Sequence, residues 1–138
     1  MKAEVYEIRD RCRRNLNQYT LKAFSMIPPI DHPAILDMGC GTGESTMALL
    51  KRTDGHIVAV DADRPSLMRF REKVRAAGVG DRIEIIHGSA LDTDILDSKV
   101  DIVLAEGVLH IIGFEEGLTV LLGHLKRDGY LFIHDGLD

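Results

Sequence analysis

The feature that most constrains this chain is a repeated change of period. Short apolar runs at Ala34 to Met38, His56 to Val60, Ile83 to His87, Val100 to Ala105 and Tyr130 to His134 have the length of strands, and most are rich in β-branched residues. Between them the apolar positions recur every three or four residues, as on one face of a helix. Over Arg64 to Ala77, Leu67, Phe70, Val74 and Ala77 share such a face; Asp63 stands where an N-cap belongs, Pro65 in the first turn and Gly78 just past the end. Leu118, Leu121, Leu122 and Leu125 line another helix, from about Phe114 to Lys126, before a turn at Asp128 and Gly129. Strands that are apolar nearly throughout, alternating with helices, imply an α/β fold in which a parallel sheet is covered on both faces.

Upstream of this rhythm, Val5, Ile8, Cys12, Leu16, Tyr19, Ala23 and Ile27 keep helical spacing until Pro28 and Pro29 end it. One or two helices are expected there, with residues 1–30 acting as a lid or packing segment and 31–138 as the α/β domain. A chain of 138 residues, 45% hydrophobic, suits one cored domain overall. The net charge of −5 disfavours a nucleic-acid partner. Arg9, Arg11, Arg13 and Arg14 are read as a solvated helix face. Cys12 and Cys40 lack the spacing of a zinc site or a disulfide framework, and the charged N-terminus is unlike a signal peptide. With no apolar run of membrane-spanning length, the expectation is a cytoplasmic protein with no membrane partner.

The chemistry-bearing segment is Asp37-Met38-Gly39-Cys40-Gly41-Thr42-Gly43, which joins the first strand to a helix at Glu44 to Arg52. Ligands of open α/β sheets bind at the carboxyl ends of strands. Glycines at alternate positions let the backbone turn tightly and approach a ligand, while the helix start offers unpaired amides. The GxGxG spacing differs from the GxGxxG of dinucleotide enzymes, which argues against a nicotinamide oxidoreductase. The second strand ends at Asp61, where a ribose-binding carboxylate is expected. Each feature alone is weak, since a glycine-rich turn can merely connect elements and Asp61 can merely lead into Asp63; together they favour a nucleoside ligand.

At these residues the chain resembles the class I S-adenosylmethionine-dependent methyltransferases. ILDMGCGTGEST (35–46) is similar to that family's first motif, VAVDAD (58–63) to its second, and IHGSALD (86–92) to the segment after strand three. VDIVLAEGVLHII (100–112) resembles the fourth motif and DGYLFIHDG (128–136) the approach to strand five. The resemblance implies a Rossmann-like three-layer sandwich with a mainly parallel five-stranded sheet in the order 3-2-1-4-5, and S-adenosylmethionine as cofactor. It implies that Asp37 holds the ligand's amino group, that Gly39, Cys40, Gly41, Thr42 and Gly43 form the methionine loop, and that Asp61 binds ribose. It sets Ala62 against adenine and places Ser89, between Ala90 and Leu91, where the family commonly has an acid. Glu106 and Gly107 fall where substrate and sulfonium meet.

His110, one helical turn beyond Glu106, is the candidate base, although a packed or solvent-facing histidine is the more common case. Methyl transfer depends chiefly on orientation, so the lack of a nucleophile triad is no objection. His134, Asp135 and Asp138 cluster near the end, yet no histidine pair has i, i+4 spacing, so no metal is expected. The family's sheet normally continues with a helix and a hairpin after strand five. The expectation is therefore a homodimer or a partner subunit through that edge. Function is read as methyl transfer to a small-molecule acceptor, with a non-catalytic cofactor-binding or scaffold subunit as the alternative.

Overall fold

Helix boundaries follow from the caps. In the computed structural model, which describes residues 2–135, the Asp63 carboxylate accepts the Ser66 amide at 3.1 Å and Gly78 closes the other end in the left-handed region (φ 69°). The elements are α1 (Lys2–Met26), β1 (Ala34–Met38), α2 (Glu44–Leu50), β2 (His56–Asp61), α3 (Arg64–Ala77), β3 (Ile83–His87), β4 (Val100–Glu106), α4 (Leu109–Ile112), α5 (Phe114–His124) and β5 (Leu125–His134). Gly136 and Asp138, named above, lie outside the described residues.

All strand pairs are parallel, and the order is β3-β2-β1-β4-β5. Because side chains alternate across each strand, the sheet feeds two cores. Ile35, Ile57 and Leu104 pack with Leu49, Leu67 and Phe70 of α2 and α3 on one side. Leu36, Val60 and Val103 pack with Leu109 and Leu121 of α4 and α5 on the other. The register sets Asp61 beside His87 and Glu106 beside His134, so the polar strand ends gather along one edge.

Two expectations are corrected. The helix expected to reach Lys126 stops at His124, and Leu125 turns extended (φ −92°, ψ 136°) to pair with Val100. Asp128 and Gly129 are thus within β5 instead of forming a turn: the register slips between Val100 and Ile102, and a Cβ on Gly129 would come 2.8 Å from the Asp101 carbonyl oxygen. The second correction concerns α1. Its apolar residues Val5, Ile8, Leu16 and Tyr19 face outward, each at least 39% exposed, while Asp10 and Thr20 are buried. The helix lands on the polar surface made by the glycine loop and α2, so its polar face is the one with partners there.

Candidate functional site

The β1–α2 loop is shaped by conformations that only glycine adopts cheaply. Gly39 and Gly43 sit at φ 78° and 85°, and a Cβ on Gly43 would meet the Phe70 ring at 2.5 Å. The Gly39 and Cys40 amides donate to the Val60 carbonyl at 2.8 and 3.0 Å, which ties the loop to β2. Asp61 completes the tie. One of its oxygens accepts the Gly41 amide at 2.7 Å and the other the Asp63 amide at 2.8 Å, so this carboxylate bridges the loop and the start of α3.

Around this bridge opens a cavity of about 420 Å³. Gly39, Gly41, Asp61, Ala62, Ser89, Ala90 and Gly107 all line it, so the separated motifs converge. Val108 and Ile112 supply apolar wall, and Arg9 and Arg13 reach in from α1. Other residues of the reading lie off this lining. Cys40 is buried in the core, where burial and the nearby Asp37 and Asp61 push its thiol far above the ordinary range, leaving it inert. Thr42 donates its hydroxyl to Asp10 of α1, and Gly43 lies against Phe70. Leu91 is 41% exposed, and its amide donates to the Ser89 hydroxyl at 3.1 Å.

Asp37 lies beneath the loop, 4% exposed, and accepts the Thr46 hydroxyl. Desolvation raises its pKa to about 7, against the lowering effect of Thr46; the charges of Glu106 and Asp61 push the same way and that of Arg13 opposes.

A second cavity, of about 350 Å³, shares Arg13 and Gly107 with the first. Glu106 lines this one, together with Ser45 and Asp135, and Leu16 and His134 complete its wall. The Glu106 carboxylate accepts hydroxyls from Thr20 of α1 and, at 2.9 Å, from Ser45 of α2. Tyr19 and His134 rings lie 5.7 Å apart at the same end. His110 lines neither cavity; its Nδ1 is 2.5 Å from an Asp135 oxygen, with the imidazole 55% and the carboxylate 7% exposed. A larger hollow of about 650 Å³ lies by Phe24, Ile27, Pro29 and Asp54, at the opposite ends of the strands and away from all of these groups.

Sequence reasoning missed the part played by α1. Arg9 and Arg13, read as solvated, line the first cavity, and the helix is held by a polar seam: Asp10 accepts Thr42 and, at 2.8 Å, Lys73, which also reaches Glu44 at 2.8 Å. Burial of Asp10 opposes its ionisation, but the bonds from Lys73 and Thr42 and the charges of Lys73 and Arg14 outweigh it and hold the carboxyl below its ordinary value. The available signal was a second period on the same helix: Asp10, Arg13, Asn17 and Thr20 recur every three or four residues, and all four are buried or half-buried.

With the geometry in hand, residues 35–129 match the family described as methyltransferase domain. The ribosomal protein L11 methyltransferase of Desulforamulus reducens is 35% identical over 104 residues, 75% of this chain and 32% of that protein. The demethylmenaquinone methyltransferase of Clavibacter sepedonicus is 34% identical over 108 residues, 78% of this chain and 42% of that one. Among solved structures, a methyltransferase from Thiobacillus denitrificans in complex with S-adenosyl-L-homocysteine superposes with a TM-score of 0.72 at 24% identity, over 85% of this chain and 46% of that one. The chain spans less than half the length of each of these proteins. Among the described residues, no helix is long and apolar enough to cross a membrane.

Proposed function

This chain belongs to the class I S-adenosylmethionine-dependent methyltransferase family, and from that premise we propose that it transfers a methyl group to a small molecule held in the second cavity. The observation that carries the reading is the meeting of the two cavities at Arg13 and Gly107. A donor in one and an acceptor in the other would face each other past Gly107, with the Arg13 side chain beside the junction.

The residues present fit the cofactor. The first cavity is of the size that encloses a nucleoside-bearing ligand, and a Cβ on Gly41 would point into space that ends on the Arg13 guanidinium 3.4 Å away. Bound there, S-adenosylmethionine supplies an activated methyl group. Asp61 would accept the ribose hydroxyls with the lone pairs that Gly41 and Asp63 leave open. Ala62 and Ala90 offer small apolar surface to the adenine, and the Ser89 hydroxyl, already accepting the Leu91 amide, retains its own proton to donate. Asp37, which lies behind the lining of the first cavity, would receive the ammonium directly or through a water, and Arg13, which makes no ion pair among the described residues, is suited to the carboxylate. Cys40, Thr42 and Gly43 act by fixing the loop.

Calorimetric titration with S-adenosylmethionine, S-adenosylhomocysteine and NAD tests the reading: the first two should bind and NAD should not. Asp61→Ala should weaken S-adenosylhomocysteine by at least several-fold, because bonds to a charged group contribute about 1.5 to 3 kcal/mol each. Binding of NAD alone would overturn the proposal, and tight S-adenosyl binding without turnover on any acceptor would favour a non-catalytic subunit. The small-molecule acceptor, the cytoplasmic location and a homodimer or partner through β5 remain parts of the proposal; sedimentation of the purified chain tests the last.

A further inference from the structure

The walls of the second cavity carry a charge pattern that discriminates between acceptors. Glu106 and Asp135 enter it from the ends of the neighbouring strands β4 and β5, and the hydroxyls of Thr20 and Ser45 fix the Glu106 carboxylate from the α1 and α2 side. Asp135 is held from the other side, by the His110 ring at 2.5 Å and the His110 amide at 3.2 Å. Among the described residues, the remaining charged or titratable groups on this cavity are Arg13, which also faces the cofactor cavity, and His134. Two carboxylate residues therefore line a small cavity that abuts the donor site, each fixed by hydrogen bonds and each with lone pairs beyond them.

We infer that this cavity takes a primary or secondary amine, bound as the ammonium between Glu106 and Asp135; the inference rests on the methyl-transfer reading above. The physical reason is the direction in which charge moves. An oxygen acceptor becomes a good nucleophile by shedding its proton and gathering negative charge, and two carboxylates beside it oppose that charge. A nitrogen acceptor starts and ends as a cation, so the same carboxylates stabilise both the bound amine and the methylated product. They also hold the ammonium proton more firmly, so a route for its departure is needed. Asp135 provides one, because the His110 ring it touches is more than half exposed and can pass a proton on to water. The balance is complete: the nitrogen loses one proton through Asp135 and His110 to water, a nitrogen–carbon bond forms as the donor's sulfur–carbon bond breaks, and the positive charge passes from sulfur to nitrogen.

The test uses the full chain saturated with S-adenosylhomocysteine, with benzylamine and benzyl alcohol as matched probes followed by calorimetry or ligand-observed NMR. Benzylamine should bind at least tenfold more tightly than the alcohol. Asp135→Asn should cost the amine at least tenfold and the alcohol less than twofold, while S-adenosylhomocysteine affinity is unchanged. Glu106→Gln should act on the amine in the same direction. Equal binding of the two probes, or an amine affinity indifferent to Asp135→Asn, overturns the inference in a protein that still binds S-adenosylhomocysteine. Failure of the wild-type chain to bind S-adenosylhomocysteine overturns the methyl-transfer reading itself, before any amine is added.

Discussion

Asp37 offers a measurement in which the protein reports its own protonation. Free of ligand, the buried carboxyl titrates at about 7, so at pH 6 it is mostly neutral. If it receives the ligand's ammonium, the bound form must be the carboxylate, and the cation pulls its pKa back toward the ordinary value near 4. Binding then requires loss of a proton below neutrality. The apparent affinity carries a factor that is close to one at pH 8 and about eleven at pH 6, so S-adenosylhomocysteine should bind roughly tenfold more weakly at pH 6 than at pH 8. At pH 7 about half a proton should leave per ligand bound, which calorimetry in buffers of different ionisation enthalpy reads directly. Asp37→Asn removes the protein's titration but keeps the ligand's, so its affinity should be lower and nearly flat over this range. A wild-type affinity that does not change between pH 6 and 8, or an Asn variant with the same slope, would refute the assignment.

The same group fixes a stability trend for the ligand-free protein: its folded-state pKa is raised, so its contribution is fully present below about 3.8 and is lost as pH rises to about 7. Melting temperature should therefore decline over that window more in the wild type than in Asp37→Asn. Arg13→Ala should weaken S-adenosylhomocysteine about tenfold or more in calorimetry, since it removes a charge-assisted bond to the ligand carboxylate. Gly43→Ala combines a left-handed backbone (φ 85°) with a 2.5 Å clash on Phe70, and should cost about 2 to 5 kcal/mol in denaturant unfolding. Lys73→Met leaves Asp10 and Glu44 without their shared cation, so amides of α1 should exchange at least tenfold faster while those of β1 and β4 keep their protection.

The sheet was legible because one physical rule writes it into the sequence: a strand covered on both faces is apolar on successive residues through its middle, as β1, β2 and β4 are at Ala34 to Leu36, Ile57 to Val60 and Ile102 to Ala105. The α3 caps were legible for a similar reason, since Asp63 and Gly78 act on their own neighbours and need no knowledge of the rest of the chain. The site was legible in its outline. Gly39, Gly41, Asp61, Ala62, Ser89, Ala90 and Gly107 come from four separate motifs and line one cavity. What local pattern could not carry was which loop residues face that cavity. Cys40 and Thr42 alternate with the glycines, and in a tightly turned loop alternation sends their side chains to the core and to α1.

The failure at α1 is more instructive, because the periodicity was present and pointed the wrong way. Hydrophobic spacing identifies a buried face only when the surface beneath the helix is itself apolar. Here that surface is a glycine loop and the first turn of α2, whose accessible groups are hydroxyls, amides and carboxylates. Burying Asp10 without Lys73 and Thr42, or Glu106 without Thr20 and Ser45, would leave carboxylates desolvated and unpaired. A polar helix face satisfies them; an apolar one would not. Polar contacts exchange with water at little net cost, whereas apolar contacts do not. Upstream of Phe24, which packs on the core, α1 is held by Asp10, Thr20 and the Lys73 bridge, and that part can therefore separate from the body more readily than α3 or α5, whose buried faces are apolar. The helix that carries Arg9 and Arg13 into the cofactor cavity is thus also the helix whose detachment would open it, and the faster amide exchange expected of α1 in Lys73→Met is the direct measure of that coupling.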